Sequence, residues 1–166
     1  NNTTGTSNSF FGFQSGINNT TGSANVIIGW QAGYANTGGS ENTFIGSSTS
    51  GYGAGYGVTT GSNNVALGGE TFKATMTGSY NTALGYGAMT ANTTGVNNVS
   101  VGYQAGYNNT YGARNSCIGT FAGYEQVNLV ANQLPDHNHK LSGSTNQTYY
   151  ALNNNTTSPN DIGATL

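Results

Sequence analysis

One motif dominates this chain: Gly-x-x-Asn-x-h-h-Gly, where h is mostly apolar, occurs seven times. The copies are GTSNSFFG from Gly5, GSANVIIG from Gly22, GSENTFIG from Gly39, GSNNVALG from Gly61, GSYNTALG from Gly78, GVNNVSVG from Gly95 and GARNSCIG from Gly112. Their starts are separated by 17, 17, 22, 17, 17 and 17 residues. A repeat of fixed period means one structural unit stacked on copies of itself, each burying a face against its neighbours. The single long step holds five extra residues, which the reading places within Ser48–Gly57, STSGYGAGYG.

The apolar pair of the motif is too short for a helix. The apolar pair between Asn and Gly is rich in β-branched and aromatic residues, which suits a short strand. Gly and Asn at fixed offsets are expected to supply the positive-φ corners of a tight coil. No stretch of residues 1–124 carries a 3.6-residue period, so helices are not expected there. The predicted fold is therefore all-β, a parallel β-solenoid or β-roll of seven coils of about 17 residues stacked about 4.8 Å apart. Equivalent residues then form ladders, and the first to name is Asn8, Asn25, Asn42, Asn64, Asn81, Asn98 and Asn115. Stacked amides satisfy one another without charge. Such a ladder helps explain why only 5% of the residues are charged.

Coils this small enclose few side chains, with Ile27 and Ile28 as an example of the two reliable apolar positions per motif. Small cores are hard to stabilise alone. Sharing a core among chains relieves this, so a homotrimer is expected. Net charge of −2 and the absence of a basic run argue against a nucleic-acid partner. No apolar stretch approaches membrane-spanning length, and no secretory signal stands at the start. Cys117, the one cysteine, sits in an apolar slot of the repeat, where packing is the expected role.

Chemistry-bearing groups are sparse. Glu41, Glu70, Glu125, Asp136 and Asp161 are scattered, and no Gly-x-Ser-x-Gly nucleophile motif is present. GYGAGYG (Gly51–Gly57) lacks the lysine and the strand-then-helix context of a phosphate loop. Catalysis is not expected. Tyrosines recur in one slot at Tyr34, Tyr107 and Tyr124, as seam stacking or as a sugar-stacking platform. Tyr52 and Tyr56 in the insertion, and Tyr149 and Tyr150 in the tail, are candidate receptor contacts.

Repeats of the form NVIIG, NTFIG, NVALG and NVSVG resemble the SVAIG-type repeat of trimeric autotransporter adhesin heads. The longer form, NTTGSxNxxIGxQAGY, resembles repeats of phage and viral tail-fibre proteins. The resemblance covers residues 1–124 and implies a trimeric left-handed parallel β-roll serving as a shaft or head. Residues 125–166 break the period and form an expected neck or tip region. Within it, LPDHNH resembles an LPxHxH segment of phage tail-fibre tips, in which His-x-His pairs from three chains jointly hold a metal. Mapped here, that segment places His137 and His139 on one side of an extended strand. Three such pairs supply six nitrogens, an octahedral set suited to Fe or another octahedral transition metal rather than tetrahedral zinc. The competing reading is a hydrogen-bonded histidine pair in a turn opened by Leu134-Pro135-Asp136.

These features together predict a non-enzymatic structural fibre or adhesin component of a phage, virus or phage-like particle, located on a virion, extracellularly or at a cell surface. Its expected partners are further copies of itself, other fibre or baseplate proteins, and a host-surface glycan or protein, with no membrane insertion. The alternative is a bacterial surface adhesin or a self-assembling extracellular filament.

Overall fold

Three-residue strands form where the motif places its apolar pair. A computed structural model describes residues 2–123. It contains β1 (Ser9–Phe11), β2 (Val26–Ile28), β3 (Thr43–Ile45), β4 (Val65–Leu67), β5 (Thr82–Leu84), β6 (Val99–Val101) and β7 (Ser116–Ile118), with no helix among the described residues. The seven strands lie in chain order in one parallel sheet. Register is strict: Ser9 pairs with Val26, Val26 with Thr43, and Thr43 with Val65 across the long step. This is the predicted β-solenoid. The five extra residues fall between Gly46 and Ala54, because Gly46 still follows Gly29 by 17 residues while Gly33 bonds to Ala54 and Ala35 to Tyr56.

The two motif glycines have different jobs. The second, at Gly29 or Gly46 for example, has φ of 129° and 140°, which side chains rarely adopt. The first has ordinary φ and is needed for space: a Cβ on Gly78 would lie 2.2 Å from the carbonyl oxygen of Gly95. A further left-handed corner falls on the residue before each ladder asparagine, which is itself asparagine at Asn63 and Asn97 but not in the other five coils. Ser7, Ala24, Glu41, Tyr80 and Arg114 hold it at φ of 56–60°. Stacking on a fixed neighbour holds this conformation against a local preference of about 1–2 kcal/mol.

Strand side chains alternate, so the apolar pair splits. Ile27 is fully buried and Ile28 is exposed. The lumen is thus filled by the middle residue of each strand and by the wall opposite, and one chain encloses its own core. That core runs through Ile27, Phe44, Ala66 and Ala83 with Ala32, Ala54, Val58, Phe72, Met76, Ala88 and Met89.

Residue sizes across the lumen compensate. Where the strand contributes Phe10, Ile27 or Phe44, the facing slot is Gly16, Gly33 or Gly55. A Cβ there would lie 2.9 Å, 2.7 Å and 2.5 Å from those side chains. Where the strand contributes only Ala66 or Ala83, the same slot 17 residues on holds Phe72 and then Met89, both fully buried. Both keep the slot's left-handed backbone, φ 49° and 51°, although they are not glycine. Close packing favours this exchange in the first five coils; in the sixth two small groups meet, a Cβ on Gly106 lying 2.4 Å from the Ser100 hydroxyl.

Candidate assembly face and polar ladders

The ladder predicted from the motif is present. Asn25, Asn42, Asn64, Asn81 and Asn98 are fully buried, while Asn8 is half-buried and Asn115 exposed. Its bonding is more specific than amide stacking. Each Oδ1 accepts the backbone N–H of the next ladder asparagine, as Asn64 does from Asn81 at 2.9 Å. Each Nδ2 donates to a motif-glycine carbonyl in the next coil, as Asn64 does to Gly78 at 3.0 Å. Direct amide contacts add to this, such as Asn98 Nδ2 to Asn81 Oδ1 at 3.0 Å. Coil is thus tied to coil through backbone groups that the short strands leave unpaired.

A second set of buried asparagines, interrupted at Val58 and Thr75, was not anticipated. Asn19, Asn36 and Asn92 are also fully buried. Asn36 Oδ1 accepts Gly39 N–H at 2.9 Å, and Asn92 Oδ1 accepts Gly95 N–H at 2.9 Å. The recurring NTTG lead-in was its signal, read only as punctuation. Beside it, threonine hydroxyls donate to the next coil's carbonyl, Thr20 to Thr37 at 2.9 Å and Thr93 to Thr110 at 3.0 Å.

Outward positions of the sheet form a third kind of column. One comprises Phe11, Ile28, Ile45, Leu67, Leu84, Val101 and Ile118, apolar in all seven coils. On one side lie Ser, Val and Thr in alternation. On the other, past the glycine, lie Phe13, Trp30, Tyr86 and Tyr103. Eleven of the fourteen large exposed hydrophobic residues fall in these three columns. The charged residues of the described chain, Glu41, Glu70, Lys73 and Arg114, all lie outside them. Seven strands about 4.8 Å apart make this face about 29 Å long, and three columns make it about 13 Å wide. A footprint on the order of 400 Å² matches the largest apolar patch of a typical monomer, which is often functional.

Beside the insertion lies the one charged cluster among the described residues. Glu70 Oε1 accepts hydrogen bonds from the Ser50 hydroxyl and, at 2.5 Å, from the Tyr86 hydroxyl. Its Oε2 lies 3.5 Å from Lys73 Nζ. The same ammonium sits 4.0 Å from the centre of the Tyr52 ring. Tyr56 stacks on Tyr34 at 5.1 Å and meets Tyr52 edge-on at 4.9 Å. The structure therefore places the candidate receptor contacts Tyr52 and Tyr56 in a knot that holds the insertion down, both half-buried.

Partial burial raises the Glu70 pKa, but hydrogen bonds from Ser50 and Tyr86 and the charge of Lys73 outweigh it and hold the carboxyl below its ordinary value. A depressed carboxyl pKa stabilises the fold above the unfolded value, about 4.5, and that contribution is lost as pH falls through the folded value. Thermal unfolding followed from pH 6 to pH 3 should therefore show a smaller acid-induced fall in Tm for Glu70→Gln than for the parent. Equal falls would mean that the knot adds no pH-dependent stability.

Tyr124, His137, His139, Tyr149 and Tyr150 lie outside the described residues, as does the expected neck and tip. No helix among the described residues is long and apolar enough to cross a membrane. Comparison with protein-family models, curated proteins and solved structures finds no match.

Proposed function

We propose that this chain is a structural fibre or adhesin component of a phage, virus or phage-like particle: a rigid homotrimeric scaffold that presents a host-attachment region. The observation that supports it most is the outward column from Phe11 to Ile118, apolar in all seven coils. The lumen is already filled by the chain's own side chains, so this second apolar surface is left for a neighbour. A second copy is the natural occupant, because the face is uncharged, repeats at the coil spacing and matches itself in shape. Three chains packed through such faces would make a stiff rod. The asparagine ladder from Asn8 to Asn115, which ties each coil to the next and so resists bending, serves the same mechanical end. Assignment to a particle rests on the likeness of the NTTGSxNxxIGxQAGY repeat and the LPxHxH segment to fibre proteins. The metal reading of His137 and His139, with Fe or another octahedral ion shared by three chains, belongs to the same proposal. So do partner fibre or baseplate proteins and a glycan or protein receptor.

Native mass of the full chain in solution tests the assembly. The expected result is a trimer that dissociates at least 100-fold more readily when Ile45→Glu and Leu67→Glu are combined, because buried unpaired charges at an interface cost several kcal/mol. A monomeric parent would overturn the reading. A double variant that assembles like its parent would show that copies meet elsewhere.

A further inference from the structure

A column that is apolar in all seven coils has a register problem. Ile28, Ile45 and Leu67 are chemically alike and one coil apart. A neighbour displaced by one coil would meet nearly the same surface, losing contacts only at the ends. Periodic strands are prone to such slippage unless something breaks the period.

The inserted segment breaks it next to this face. In the aromatic column, the third and fourth coils carry Ser47 and Gly69 where the flanking coils carry Trp30 and Tyr86. The inserted segment occupies this gap. A Cβ on Gly51 would lie 3.6 Å from the Trp30 indole, and Ser50 shares the Glu70 carboxylate with Tyr86. The segment thus spans from the last aromatic side chain before the gap to the first one after it. It presents exposed Ser47, Thr49 and Ser50 at the border of an otherwise apolar surface. It is also held in place, through the carboxylate of Glu70 and the ammonium of Lys73 on the Tyr52 ring. A clamped polar bump at one level of a periodic apolar face does what a key does.

We propose that the insertion between Gly46 and Ala54 is a register key for lateral association between copies of this chain. In register it lets polar surface meet polar surface, and a one-coil displacement sets part of it against the ring of Trp30 or Tyr86. This rests on the self-associating fibre reading above, and gives the Glu70–Lys73–Tyr52 knot its role, that of holding the key rigid.

Two tagged versions of the full chain, both carrying Cys117→Ser, test it when co-expressed: one with Ile28→Cys and one with Ile45→Cys. Oxidation forms same-site disulfides in register and mixed Ile28→Cys/Ile45→Cys disulfides after a one-coil slip. The native insertion should favour same-site products at least tenfold. Replacing residues 47–53 by a Tyr-Gln pair, as Tyr103-Gln104 stand in the sixth coil, restores the 17-residue step and should bring the two products within about threefold. Glu70→Gln with Lys73→Gln keeps the loop but frees it, and should fall between, which covers failure of the replacement to fold. Equal products from the native chain, or full selectivity in both variants, would overturn the key. A monomeric native mass would remove the fibre reading with it, whereas an oligomer with unselective cross-links removes the key alone.

Discussion

Phe72→Gly should cost about 4 kcal/mol in denaturant unfolding, the scale of emptying a buried phenyl site, less about 1 kcal/mol because glycine relaxes the backbone at φ 49°. Adding Ala66→Phe to the same chain should return most of it. That pair recreates the third coil, where Phe44 faces Gly55 across the lumen. Ala66→Phe alone, against an intact Phe72, should destabilise by about 1–3 kcal/mol through overpacking. A double-mutant cycle therefore has opposite signs built into it: two damaging changes that repair each other. A coupling energy below about 0.5 kcal/mol, the level expected of independent sites, would show that the lumen relaxes around each change separately.

Asn64→Ala is the second large effect. It removes the acceptor of the Asn81 N–H and the donor to the Gly78 carbonyl, in a ladder position with no solvent exposure. Stranding buried backbone groups costs about 1–3 kcal/mol each, so a loss of about 3 kcal/mol is expected in denaturant unfolding. Amide exchange should rise first at Asn81. Asn8→Ala removes an equivalent amide at a half-buried position. It should cost less than about 1 kcal/mol, since water can take the place of the lost partner. Equal losses at both sites would mean that burial does not set the ladder's contribution. Asn64→Asp should not rescue, because a carboxylate cannot donate to Gly78 and would place charge inside the stack.

Much of the fold was legible because a solenoid writes its geometry as a period. The seven motif copies marked the seven strands, their parallel order and the in-register ladder from Asn8 to Asn115. The uneven step located the insertion. Three things were not legible. The lead-in asparagines Asn19, Asn36 and Asn92 looked like turn punctuation, since nothing local distinguishes a solvated turn amide from one enclosed by the next coil. Phe72 and Met89 stand in a slot that is glycine in the other five coils, and nothing local accounts for them. They make sense only opposite Ala66 and Ala83, residues that they face across the lumen. The knot of Glu70 with Ser50, Tyr86 and Lys73 joins positions up to 20 residues apart in chain, and no motif links them.

The amino-acid sequence by itself determined the repeat unit, the number of coils and their stacking, because each unit must meet a near-copy of itself one period later. Which of two adjacent apolar residues fills the lumen and which faces outward was decided only by the closed coil. Ile27 and Ile28 are chemically the same, and alternation along a strand says that they part without saying which goes in. That choice, made by the way Gly33 and its equivalents close over the inner residue, gives the chain both a core of its own and an apolar face for a neighbour.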